Sequence, residues 1–218
     1  MGRFSRKSRK SRGGRIWLAY LMVGTLWFAM SAAYKSKMPS NTEDICTVFE
    51  DRRDWYKAAR NSEERWGTPA HIQMAIVQQE SSFRFNARPP RTSLLGFIPW
   101  KRPSNAYGFA QALDGTWARY QKDTGRSYAD RDDFEDAIDF IGWYTNLSNQ
   151  SEGISKWDPY NQYLAYHEGQ AGWRRGTYNG KGWLKKAAQR VDTRARQWGE
   201  QLKHCEAGLN DPFWMFRS

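Results

Sequence analysis

Apolar residues recur at helical spacing through most of the chain after residue 43. Ile45, Val48, Phe49, Tyr56 and Ala59 fall on one helical face. Thr68 and Pro69 read as an N-cap with proline at the first helical position, opening an apolar run that ends at Glu80. Asp132 with Glu135 reads as a capping box for a helix with Phe134, Ile138, Ile141 and Tyr144 on one side. Asp158 and Pro159 open a further helix, which Gly169 is placed to close. From Trp183 through Leu184, Ala187, Ala188, Val191, Ala195, Trp198 and Leu202 the period predicts one long amphipathic helix with a solvated charged face. No alternating strand run bounded by hairpin turns occurs, so a mostly α fold is expected. Residues 88–105 interrupt the pattern with four of the eight prolines and an apolar centre flanked by Arg91, Lys101 and Arg102. They read as a long structured loop.

The amino-terminal pattern is different. Residues 16–33 carry no charge and are just long enough to cross a bilayer. Arg3, Arg6, Lys7, Arg9, Lys10, Arg12 and Arg15 precede them without a single acid. A basic flank before an apolar run keeps the amino terminus cytoplasmic and sends the rest outward. Two readings follow: a retained signal anchor, which the length of the run favours, or a signal peptide cleaved near Ser31, Ala32 and Ala33. This sequence order divides the chain into a basic cytoplasmic tail (1–15), a transmembrane anchor (16–33), a polar linker (34–43), one domain (44–210) and a short aromatic tail (211–218). The last could pack on the domain or touch the membrane interface.

Charge and cysteine usage refine this picture. The net charge of +11 resides mainly in the tail, because beyond it 27 of the 34 basic residues face 23 acids, a net of +4. A nucleic-acid arm is therefore not expected, since such arms do not normally run into a membrane-length apolar segment. Cys46 and Cys205, the only cysteines, sit at the two edges of the exported part. In an oxidising compartment such a pair forms a disulfide tying the ends together; two buried free thiols are the alternative. Aromatics make up 16% of the chain, with 12 Trp, enough to serve both a core and flat faces for stacking on sugars.

The candidate chemistry starts at Glu80. A carboxyl at the end of an apolar helix is poorly solvated and lies near the negative end of the helix dipole. Both effects favour the protonated form that a general acid needs at neutral pH. An ordinary solvated Glu at a helix end would look the same in isolation. Three downstream segments give it company: residues 106–111 with a Gly turn and Gln111, the helix from Asp133 to Tyr144, and residues 163–173 with Tyr166, His167, Glu168 and Gly169. His71, His167 and His204 have no metal-ligand spacing, and no phosphate-cradling Gly loop occurs, so neither metal nor cofactor is expected.

Over roughly residues 66–200 the order and spacing of these segments resemble the soluble lytic transglycosylase catalytic domain, glycoside hydrolase family 23, related to goose-type lysozyme. The family carries Glu-Ser at a helix end, then Gly-Leu-Met-Gln, then Ala-Tyr-Asn-Ala-Gly. Here these are Glu80-Ser81, Gly108 to Gln111, and Ala165 to Gly169. Leu-Met has become Phe109 and Ala110, and Asn-Ala has become His167 and Glu168, while residues 88–105 look like an insertion.

The resemblance implies a lysozyme-like globular domain acting on peptidoglycan glycan strands, with its anchor in a bacterial inner membrane and its catalytic domain in the periplasm. It implies cleavage of the bond between N-acetylmuramic acid and N-acetylglucosamine, with Glu80 as acid and then base and a 1,6-anhydro product. Carried over residue by residue, Ser81 would hold Glu80 or the muramyl group, and Gln111 and Tyr166 would orient sugar and acid. Tyr107 and nearby Trp residues are stacking candidates. His167 and Glu168 are expected to support the site, Glu168 through a backbone amide or an Arg of residues 88–105. Two other readings share the fold: a hydrolytic muramidase using Glu168 or another acid as base, and a non-catalytic peptidoglycan-binding or assembly protein.

Overall fold

Local chemistry accounts for where the helices start and stop in a computed structural model of the protein, which describes residues 12–91, 93–94, 98–99 and 102–211. The chain divides into two units, residues 1–37 and 38–218. The first holds helix α1 (Arg12–Ser36), on which Leu21, Val23, Leu26 and Met30 are exposed. Among the described residues no helix is long and apolar enough to cross a membrane. Most of the basic tail and of the aromatic tail lies outside the described residues, as does part of the 88–105 segment.

The second unit contains α2 (Ile45–Asp51), α3 (Arg53–Trp66), α4 (Ala70–Ser81), α5 (Asp114–Thr124), α6 (Phe134–Glu152), α7 (Pro159–Glu168), α8 (Gln170–Arg174) and α9 (Gly182–Leu209). The mostly α expectation is met. One detail corrects it: within residues 88–105 two short strands, β1 (Ser93–Leu94) and β2 (Ile98–Pro99), pair antiparallel, Ser93 with Pro99 and Leu94 with Ile98.

Three predicted boundaries shift for identifiable reasons. The apolar face from Ile45 to Ala59 is two helices, because Arg52 leaves helical geometry at φ −133°. Its guanidinium lies 4.2 Å from the Trp55 ring centre and bonds both Asp54 oxygens. Thr68 does not cap α4; its hydroxyl is buried against that of Thr145 on α6, and Glu63 takes the Ala70 N–H instead. Asp133, not Asp132, caps α6 by accepting from the N–H groups of Glu135 and Asp136. Asp132 accepts the Tyr107 hydroxyl at 3.0 Å. Asp158 and Gly169 bound α7 as the sequence predicts.

Helix α4 runs through the core. Ile72, Met74, Ile76 and Val77 are fully buried, each contributing roughly 1.5–3 kcal/mol by burial. The helix packs mainly against α9, with α3 and α6 beside it. An aromatic cluster joins the segments that follow it. Trp55 of α3 stacks on Phe134 at 4.3 Å and meets Phe83 and Phe109 at 5.3 and 5.6 Å, and Phe83 stacks on Trp198 of α9. Phe83, Phe109 and Phe134 lie just after Glu80, inside the Gly turn and at the start of α6, so one apolar contact set fixes three candidate site segments together. The cysteines are joined in a disulfide that fastens α2 to the last turns of α9.

Candidate active site

Glu80 occupies the last turn of α4, which ends abruptly. Ser82 and Phe83 are both left-handed, at φ 51° and 61°. Non-glycine residues adopt this conformation only when their surroundings hold them there. Phe83 is held by burial between Trp55 and Trp198. The chain thus turns away immediately after Glu80 and leaves its carboxyl on the wall of a cleft of about 560 Å³. Burial pushes that carboxyl up to about 7, and a hydrogen bond from the Tyr163 hydroxyl offsets part of the rise.

Two tyrosines of α7 face this acid. Tyr163 bonds it, and burial together with the nearby Glu80 raises the Tyr163 phenol. Tyr166, one turn on, also lines the cleft and donates to the Ala110 carbonyl at 2.5 Å. Burial first, then the charges of Glu80, Tyr144 and Tyr163, hold its phenol far above the usual range, so it stays a neutral donor. On α6, Phe140 and Tyr144 complete the wall, with Tyr144 packed 5.1 Å from Tyr166.

The Gly turn is built by its backbone. Gly108 has φ 79°, and a Cβ there would meet the Arg131 carbonyl oxygen at 1.9 Å, so only glycine fits. Gln111, at φ 48°, donates its amide to the carbonyls of Ala87 and Gly108 at 2.9 and 2.8 Å. Gln111 lines the cleft, and its amide nitrogen fixes the turn from within.

Glu168 lines the same cleft and is chemically committed. Burial alone would raise it, but bonds from Lys181, Thr177 and His167 outweigh burial and lower it to about 2. Lys181 Nζ lies 2.8 and 2.9 Å from its two oxygens, and His167 Nδ1 lies 3.1 Å away. The partner expected for Glu168, a backbone amide or an Arg of residues 88–105, is thus replaced among the described residues by Lys181.

Not every expected residue joins the cleft. Ser81 is buried with its hydroxyl donating to the Val77 carbonyl at 3.1 Å, a bond that serves the helix end. Tyr107 is half-buried outside the cleft wall, with the Arg88 guanidinium 4.4 Å over its ring. That guanidinium occupies a face on which a sugar was expected to stack. Conversely, Tyr163 and Tyr144 join the site from outside the sequence motifs, Tyr163 by bonding Glu80 and Tyr144 by lining the cleft. The signal for Tyr163 was its i, i+3 spacing from Tyr166, which puts both on one helical face. Among the described residues no cluster of His, Cys, Asp or Glu could hold a metal.

One family model, that of the transglycosylase SLT domain, matches residues 20–205. No curated protein matches the chain.

Proposed function

Because the chain belongs to the transglycosylase SLT domain family, we propose that it is a peptidoglycan lytic transglycosylase with Glu80 as its single acid and base. Family membership indicates transglycosylase activity on peptidoglycan in general. The observation that carries the finer reading is the carboxyl of Glu80, lifted to about 7 on the wall of a sugar-sized cleft.

The chemistry needs one carboxyl. Protonated Glu80 gives its proton to the glycosidic oxygen, which leaves with the N-acetylglucosamine end. The muramyl N-acetyl oxygen supports the electron-poor anomeric carbon, a substrate-assisted route that needs no enzyme nucleophile. Glu80, now ionised, takes the proton of the muramyl C6 hydroxyl, whose oxygen bonds the anomeric carbon and closes a 1,6-anhydro ring. No water is consumed. Tyr163 steadies the carboxyl in both states. Tyr166, tied to Ala110, and Gln111, tied to Ala87, keep the opposite walls in register. A water-activating muramidase would need a free second base, and Glu168, bonded by Lys181, Thr177 and His167, is poorly suited to that task.

Digestion of purified peptidoglycan by the full chain, followed by mass analysis of the products, tests the reading. Muramyl ends one water lighter than hydrolysed ends are expected. Hydrolysed reducing ends would establish the muramidase, and binding without digestion would establish a non-catalytic wall protein. Export with retention of residues 16–33 as an anchor rests on the basic-then-apolar order of the sequence alone, since no described helix meets the length and apolarity of a membrane span. It predicts that protease added outside the inner membrane degrades the domain in intact spheroplasts.

A further inference from the structure

Trp183 departs from the pattern of its own helix. The apolar positions of α9 from Leu184 to Leu202 are buried, whereas Trp183 is 59% exposed. Three contacts determine where this indole stands. Lys181, the N-cap residue of α9, grips both oxygens of Glu168 at the end of α7. Glu168 accepts from His167 Nδ1. The His167 ring meets Trp183 edge to face, with centres 5.1 Å apart. Because His167, Glu168 and Gly169 line the cleft, the Lys181 ion pair draws the start of α9 to its rim and brings Trp183 with it. With Nδ1 engaged by the Glu168 carboxylate, Nε2 is the ring nitrogen left for a further hydrogen bond.

We infer that Trp183 and His167 form a saccharide subsite at the rim of the cleft, taking an N-acetylhexosamine unit of the glycan strand. The apolar C–H face of the pyranose covers the exposed indole face, a contact that flat aromatic rings favour. Nε2 of His167 hydrogen-bonds a hydroxyl of the same strand, a group that can both donate and accept. The subsite rests on the peptidoglycan reading and extends the cleft beyond the bond that is cut. Neither residue handles the transferred protons, so its loss appears as weaker binding, in KM ahead of kcat.

The test is calorimetric titration of the full chain carrying Glu80→Gln, in which turnover should be suppressed at least ~100-fold, with a β-1,4-linked hexamer of N-acetylglucosamine. Adding Trp183→Ala should weaken affinity about tenfold, the size of one good aromatic contact with its buried area. Trp183→Phe, which keeps an aromatic face, should recover most of it. Melting curves for each variant report folding. Equal affinity of the Trp183→Ala protein would overturn the subsite and leave the proposed reaction standing. No binding by the protein with Trp183 intact would overturn the subsite, while the anhydro-product assay decides the reaction separately.

Discussion

At the scale of single residues, two carboxylates in one cleft are driven in opposite directions by their neighbours. Glu80 has burial and one phenol; Glu168 has an ammonium, a hydroxyl and an imidazole. The consequences differ in sign. Glu80 is raised from 4.5 to about 7. Between those values the unfolded chain ionises it and the folded chain resists, so stability is lost as pH rises from about 4.5 to 7. A shift of this size corresponds to on the order of 3 kcal/mol. Glu80→Gln should therefore melt with the wild type at pH 4 and increasingly above it towards pH 8. The same variant should lose at least ~100-fold in wall digestion, the lower range of a general acid's contribution. Wild-type activity should fall as pH rises through about 7, because the proton donor is lost. Near-wild-type digestion by Glu80→Gln would remove this residue from the mechanism. Glu168 is lowered to about 2, so the stability it contributes is present above its ordinary value and lost as pH falls towards 2. Glu168→Gln should still release anhydro ends, with a smaller loss than Glu80→Gln. A muropeptide profile in which it alone abolished product would reverse the two roles.

At the scale of elements, the sequence was most legible where local chemistry and burial agree. Asp158, Pro159 and Gly169 bound α7, and the period from Leu184 onward gave α9, because caps and faces there answer to the same chain segment. It was least legible where a distant partner competes for a side chain. Thr68 carries the features of an N-cap, but Thr145 lies 77 residues away in sequence and takes its hydroxyl. Asp132 precedes α6 by one residue too many because Tyr107 claims it. Glu80 was legible from its helix end, whereas the neighbour that restrains it, Tyr163, belongs to another element and showed only through a helical spacing. Close helix contacts are equally hidden. Gly142 of α6 lets α3 approach so closely that a Cβ there would stand 2.4 Å from Ser62 Oγ and 2.6 Å from Trp66 Cδ1. Gly142→Ala should cost about 1–3 kcal/mol by overpacking, despite alanine's better helix propensity. Chemical denaturation measures it, and a variant as stable as wild type would mean that α3 and α6 separate freely.

At the scale of the whole molecule, the disulfide matters because of what α9 supports. That helix packs on α4, which carries Glu80, and on α7, which carries Tyr163 and Tyr166. Its far end is bonded through Cys205 to Cys46 on α2, across 159 residues of sequence. Closing so long a loop restricts the unfolded chain and can stabilise the fold by up to about 5 kcal/mol in the chain-entropy view. For a domain of this size that corresponds to roughly 10–20 °C in melting temperature. Neither cysteine lines the cleft, so the bond should act on stability rather than on chemistry. Cys46→Ser with Cys205→Ser should melt well below wild type, yet digest peptidoglycan at a near-normal rate at temperatures where it remains folded. Reductant should shift the wild type by a similar amount and leave the double variant unmoved. Coincident melts with and without reductant, or two freely alkylated thiols in protein drawn from an oxidising compartment, would show that packing alone holds α2 to α9.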